Sequence, residues 1–349
     1  MKKLNLLFLL LTCGSTYAQT FITQIKTFET GKWGYMNSKG EMIIQPQYSR
    51  CDEFTEEGFA GIEENGFWFI DTKNQVLKTE VEIEFRDAPF FTDVHGFSEG
   101  LAQVIVKDAG RWGYIDTKGK LVIPAIYKFT TDFHGGFAIA QKAGNNYYVL
   151  DKTGKETHIP IERIEHFKSF SEGLAEFKTK DGFYGFIDPT GKIAIQPEYT
   201  EVSKFRGGLA AVRLKGGRNW GYINHKGELV IPAKYDVAKN FDPVSGIART
   251  RTNNGWAYIN QKGEETKISD TETFDDFRDG LCKGRKGEKF GFYDNTGKWV
   301  IEPKFDGARD FKNGYAAVKE NGKWGMIDRA GNWVIKPLYA GIRDMELVK

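Results

Sequence analysis

Aromatic and β-branched residues alternate with small or polar ones in short runs along nearly the whole chain, and the runs break at glycine, asparagine or aspartate. In the stretch beginning at Trp112 the period is two. Trp112, Tyr114 and Asp116 point to one side of an extended strand, and Gly113 and Ile115 to the other. The step Asp116-Thr117-Lys118-Gly119 separates this run from Leu121-Val122-Ile123-Pro124. That step predicts a hairpin, because glycine supplies the positive φ of a type I turn with a bulge and the Asp side chain hydrogen-bonds the turn backbone. The same span recurs at Asp188 to Gly191, Asp294 to Gly297 and Asp328 to Gly331. A Ca²⁺ loop would need alternating Asp ligands, Asp-x-Asp-x-Asp-Gly, and that alternation is missing. A third strand precedes these two, announced by phrases such as Phe97-Ser98-Glu99-Gly100-Leu101-Ala102 and Phe205-Arg206-Gly207-Gly208-Leu209-Ala210.

The phrase is repeated nine times. Its lead aromatics are Trp33, Phe67, Trp112, Tyr147, Tyr184, Trp220, Trp256, Phe290 and Trp324. Aligned on the Asp or Asn four residues later, the units are spaced by 34, 45, 35, 37, 36, 36, 34 and 34 residues. The one long interval places an insertion at about residues 78–96, between the second and third units. Three units, led by Phe67, Tyr147 and Trp256, lack both the central glycine and the Ile-Pro ending. In the other six, Ile is followed four residues on by Tyr or Phe with proline between, as in Ile123, Pro124 and Tyr127. Proline cannot donate to a ladder, so it is expected at the strand's end or edge. The glycine after the lead aromatic marks a close approach, expected from a neighbouring unit's aromatic or backbone. The nine lead aromatics themselves are expected to form the shared core.

A unit of about three antiparallel strands cannot bury its own apolar face, so stacked neighbours must share a core. The fold class is therefore all-β, nine tandem repeats forming an open or superhelical array, with a closed β-propeller-like ring as the alternative. Propellers typically carry about four to eight blades of four strands, which favours the open array.

The phrases Lys32-Trp33-Gly34-Tyr35 and Lys323-Trp324-Gly325-Met326, with their Gly-Leu-Ala and Ile-x-Pro-x-Tyr flanks, resemble the bacterial WG (KWG) repeat family. The resemblance runs from about Phe21 to Tyr339, nearly all of residues 19–349. It implies an all-β repeat domain of exported or surface proteins, and it implies no catalytic residues.

Residues 1–18 have Lys2 and Lys3, an apolar run from Leu4 to Leu11, and the small-x-small end Thr16-Tyr17-Ala18. These are the three parts of a secretory signal peptide, with cleavage expected after Ala18. The competing fate is lipid attachment at Cys13, where Leu10-Leu11-Thr12-Cys13 resembles a lipoprotein box with Thr12 in place of a smaller residue. Cleavage would take two of the 49 basic residues and none of the 47 acidic ones, leaving 47 against 47. A neutral chain lacks the electrostatic footprint of a nucleic-acid binder. No other apolar stretch approaches the ~20 residues of a spanning helix, so no membrane span is expected after cleavage. The expected location is periplasmic, cell-surface or secreted. Cys51 and Cys282 remain; an export route permits a disulfide between them, but Cys282 replaces the small residue of a Gly-Leu-Ala phrase and reads as a small buried hydrophobe.

Candidate chemistry is thin. The five histidines show no paired metal spacing, and there is no nucleophile elbow, phosphate loop or dinucleotide fingerprint. No catalytic, metal or cofactor residue is assigned. The weak ligand-binding candidates lie off the repeat: Asp87, Asp93 and His95 in the insertion, and the irregular tryptophans Trp68, Trp299 and Trp333. Glu80, Glu82 and Glu84 alternate with Val81, Ile83 and Phe85, which reads as an edge strand with an acidic face. The functional expectation is a non-enzymatic exported scaffold for a protein or cell-envelope polymer, with a glycan or cell-wall polysaccharide module as the alternative.

Overall fold

The computed structural model describes residues 19–63, 67–84, 96–266, 268 and 270–349. Each unit is an antiparallel meander. The fourth unit shows the plan: Phe129–Thr130, Phe137–Gln141, Tyr147–Asp151 and Glu156–His158 pair in sequence order. The ninth repeats it with Gly307–Ala308, Tyr315–Glu320, Lys323–Asp328 and Trp333–Tyr339. Most units thus have four strands rather than three; among the described residues the second and eighth keep three. The first is two residues long in most units, too short to leave an alternating pattern in the sequence. In the fifth and sixth units one strand, Ile193–Val202, runs unbroken from the end of one meander into the next.

The chain's two ends meet in one sheet. Gly341–Val348 pairs antiparallel with Thr20–Lys26, with Thr23 opposite Met345 and Ile25 opposite Ile342. The last strand of the chain therefore supplies the first strand of the first unit. Between the ninth and first units lies a buried cluster of Ala317, Met326, Ile335, Ile25, Met36, Ile342 and Met345. Equivalent clusters lie at every other junction, as with Tyr114, Ile123 and Tyr127 against Phe133, Ala138 and Leu150. An open array of nine units has eight such junctions; here the ninth is filled as well. The all-β repeat array is as expected, and of its two expected forms the end-to-end pairing favours the closed propeller-like ring, because it leaves neither terminal sheet with a bare edge.

At each junction the buried peg is the residue two after the lead aromatic. Tyr35, Tyr114, Tyr222 and Tyr258 are fully buried and meet Phe54, Phe133, Phe241 and Phe277 of the next unit, with centroids 4.6 to 5.2 Å apart. Their hydroxyls donate to the carbonyls of Asp52, Thr131, Lys239 and Asp275, at 2.7 to 2.8 Å. One side chain thereby gives apolar area, an edge-to-face contact and a satisfied polar tip. The lead aromatics were expected in this place, but Trp33, Trp112, Tyr184, Trp220, Trp256, Phe290 and Trp324 are only half-buried. Several carry a cation on the ring instead: Lys26 and Arg343 over Trp33, Arg213 over Trp220, Arg249 and Arg251 over Trp256.

The glycine and proline prove to be two halves of one feature. Trp112 lies opposite Tyr127 and Tyr114 opposite Ile123, so two steps on one strand span four on the next. Five further units share the shift. Proline sits inside this bulge, where an unpaired position tolerates the missing N–H, and not at the strand's end. The bulge swings backbone over the glycine: a Cβ at Gly113, Gly185 or Gly221 would lie 2.7 Å from the carbonyl oxygen of Ile123, Ile195 or Ile231. The close approach therefore comes from the unit's own next strand rather than from a neighbour. In the fourth and seventh units the pairing runs without a shift, and Tyr148 and Ala257 stand where the glycine would be.

The hairpin turns follow the sequence closely. Oδ1 of Asp116 accepts from the backbone N–H of Lys118 and Lys120 at 2.9 Å, and all nine Asp or Asn residues at this position do likewise. Cys51 and Cys282 are both free; Cys282 is buried, and burial pushes its thiol up to about 12.

Candidate functional site

The turns joining first and second strands form an inner circle on one face. Most are Phe-x-x-Gly phrases, as at Phe205, Phe277 and Phe311, and the turn after Phe241 is two residues longer; the Phe is buried at a junction in all four. A carboxylate from one turn accepts the backbone N–H groups of the next. Glu99 takes Gly135 and Gly136 at 2.6 and 2.8 Å, and Glu172 takes Gly207 and Gly208 at 2.7 and 3.0 Å. Asp242 takes Asp279 and Gly280, and Asp279 takes Gly314. Such charge-assisted bonds fix the spacing of neighbouring turns.

In four successive units the residue after the Phe faces one opening. Arg206, Asp242, Arg278 and Lys312, from the sixth to ninth units, line one opening of about 340 Å³ with Asp310 and Asp344. Asp344 precedes Met345, which takes the place of the Phe in the first unit. Equivalent positions of four successive units, joined by Asp344 of a fifth, can share one cavity only near the ring axis. The opening carries both signs: Arg206 and Arg278 flank Asp242, whose oxygens accept the backbone N–H groups of Ser245, Asp279 and Gly280, and Asp310 and Asp344 flank Lys312. Val244, 60% exposed, adds an apolar edge. Burial and the neighbouring charge of Arg278 hold the Arg206 guanidinium below its usual range. Burial and Glu53 push the Asp344 carboxyl up. Burial, joined by Glu53 and opposed by Lys312, pushes nearby Glu346 up to about 7.

A second opening, about 430 Å³, lies toward the opposite strand ends between the fourth and fifth units, lined by Asn146, His158, Pro160, Glu162, Arg163 and Lys180. Its Arg163 is already paired with Asp181 at 2.7 Å.

The residues singled out in the sequence do not converge. Asp87, Asp93 and His95 lie outside the described residues. Within the insertion, Ile83–Glu84 does take an edge-strand place against Leu101–Val106. Trp68 is 48% exposed. Trp299 donates its indole N–H to Asp270 at 3.0 Å and packs edge-on against Tyr293. Trp333 packs against Phe305. None of the three tryptophans lines either opening. The inward residues were missed because each looks like an ordinary turn residue; only aligning the Phe-x-x-Gly phrases shows one variable position turning basic at Arg206, Arg278 and Lys312. Among the described residues no group of three or more His, Cys, Asp or Glu side chains could hold a metal, and no helix is long and apolar enough to cross a membrane.

No curated protein matches the chain. Among solved structures, one described as a eukaryotic initiation factor aligns over 95% of this chain and 97% of its own, with a TM-score of 0.59 at 11% identity, a likeness of fold alone. Lower-scoring likenesses include BamB from Moraxella catarrhalis (TM-score 0.40, 10% identity, 81% of this chain and 91% of that one). The computationally designed Ika8 protein is another (TM-score 0.42, 12% identity, 79% and 92%). The WG containing repeat matches residues 33–68, 112–147, 184–217, 220–256, 290–324 and 324–346. These segments cover more than half of the sequence, and the chain belongs to the WG containing repeat family.

Proposed function

We propose that this repeat scaffold is a non-enzymatic, exported binding protein that takes a protein or cell-envelope partner on the axial face of its ring. The observation that carries the reading is the axial opening: five successive units place charged side chains of both signs in one concavity that the carboxylate latches hold in shape. A rigid, preorganised concave site is what binding favours, since little ordering entropy is lost on association. Export rests on the leader at residues 1–18, and predicts a mature amino terminus at Gln19.

The test is capture from envelope extract with the purified mature chain, followed by direct titration of the captured component. A chain lacking residues 341–349, and so the closing strand, is the control. A component that binds the closed ring and not the control supports the reading. Turnover of a substrate by the mature chain, lost on Asp87→Ala or His95→Ala, contradicts it. Glycan binding is the second reading and rests on the exposure of Trp68; it predicts quenching of tryptophan fluorescence by oligosaccharides that Trp68→Ala abolishes.

A further inference from the structure

We propose that the axial opening recognises a short peptide segment carrying charges of both signs, its carboxylate held by Arg206 and Arg278 and its cation by Asp310 and Asp344. This inference rests on the binding-scaffold reading and names the chemistry of its partner.

The first support is the state of the two arginines. Among the described residues Arg206 makes no ion pair within 4.0 Å; Asp242, Asp276 and Glu172 act on it from farther away, and the Asp242 oxygens are already taken by the backbone N–H groups of Ser245, Asp279 and Gly280. Among the described residues Arg278 reaches only Asp276, at 3.7 Å, and the other oxygen of that carboxylate is ion-paired with Nε of Arg249 at 2.7 Å. Two guanidiniums thus share a partly buried wall without a full complement of anions. Arginine's fork of N–H donors matches a carboxylate, and an incoming one would answer both charges at once.

The opposite wall has the converse imbalance. Lys312 is taken up by Glu346 and stands 3.7 Å from Glu53. Among the described residues Asp344 has one ion pair, with Arg309 at 3.9 Å, and Lys312 acts from farther away; burial and Glu53 push its carboxyl up. Asp310 shares Lys283 with Asp275. A ligand ammonium or guanidinium arriving here would lower the cost of keeping these carboxylates ionised.

A polyanion such as a polyphosphate would be drawn to one wall and repelled by the other. The opening, about 340 Å³, falls at the small end of the ~300–1,000 Å³ typical of ligand sites. It therefore suits a few residues of an exposed loop or tail and not the face of a folded domain. Exposed Val244 beside Pro243 offers an apolar surface for the aliphatic stems of such a segment.

The experiment is selection of a displayed random heptapeptide library on the full mature chain, with titration of the enriched peptides against variants. Enriched sequences are expected to carry Asp or Glu together with Lys or Arg. Their affinity is expected to fall at least tenfold in the Arg206→Gln, Arg278→Gln double variant and severalfold in Asp344→Asn. Arg206→Lys, which keeps the charge and loses the fork, should retain more of the binding than Arg206→Gln, which separates loss of charge from loss of fold; near-ultraviolet circular dichroism checks the fold of each variant. The proposal is overturned by absence of enrichment, by peptides lacking acidic residues, by equal binding to the double variant, or by tripolyphosphate binding more tightly than any selected peptide. An envelope component that binds wild type and the double variant alike would overturn the peptide site while leaving the scaffold reading intact.

Discussion

The carbonyl oxygen of Ile231 stands 2.7 Å from the place a Cβ on Gly221 would occupy. No side chain can yield there, because the opposing atoms are backbone held in the bulge at Pro232. Gly221→Ala should therefore behave as overpacking and cost about 1–3 kcal/mol. Ala257 holds the same place in the seventh unit, where the pairing runs straight. Ala257→Gly should cost about 1 kcal/mol or less. Urea unfolding of both variants checks the contrast, and equal losses would contradict the pairing of glycine with bulge.

The latch between turns predicts a second effect. Glu172 accepts from Gly207 and Gly208, so Glu172→Ala removes two charge-assisted bonds at a partly solvated site, worth about 1–3 kcal/mol. Glu172→Gln, whose single amide oxygen still accepts, should recover part of this. Faster hydrogen exchange at the Gly207 and Gly208 amides identifies the cause as the latch itself; unchanged exchange would deny it.

The closing strand should respond to pH. In the folded chain Glu346 holds its proton up to about 7, whereas the ordinary value is 4.5. Asp344 is shifted in the same direction. Between those limits the folded state binds protons more tightly than the unfolded one, so this contribution is present at low pH and lost as pH rises through 7. Glu346→Gln removes the titration. Its melting temperature relative to wild type should therefore climb between about pH 5 and pH 8, and a constant difference would show that Glu346 does not titrate in this window.

The repeat, its turns and its unit boundaries were legible in the sequence because each rests on local chemistry: Asp116 with Gly119, Ile123 with Pro124, Gly113 beside Trp112. Closure was not, since the pairing of Thr23 with Met345 joins residues from opposite ends of the chain and leaves no periodic trace. The peg was misplaced by two residues for a related reason. Trp112 and Tyr114 lie on the same face of one strand, and the sequence offers no means of telling which reaches the next unit's Phe133. Among candidate residues the irregular tryptophans drew notice by breaking the pattern, yet Trp299 and Trp333 are held in packing contacts. Arg206 and Arg278 keep to the pattern, and only the ring brings them together with Asp344.

Closure is the claim on which the axial site depends, and a distance between the first and ninth units tests it most directly. With Cys51 and Cys282 replaced by alanine, spin labels at Lys39→Cys and Ala330→Cys report the separation of two exposed turns by pulsed electron paramagnetic resonance. Gly40 already lies against the carbonyl of Val334 in the ninth unit. The ring predicts labels about one sheet spacing apart, roughly 10 Å plus the length of the labels. A stack of nine units left open would set them about eight spacings apart, near 80 Å, and a distribution centred there would contradict the ring.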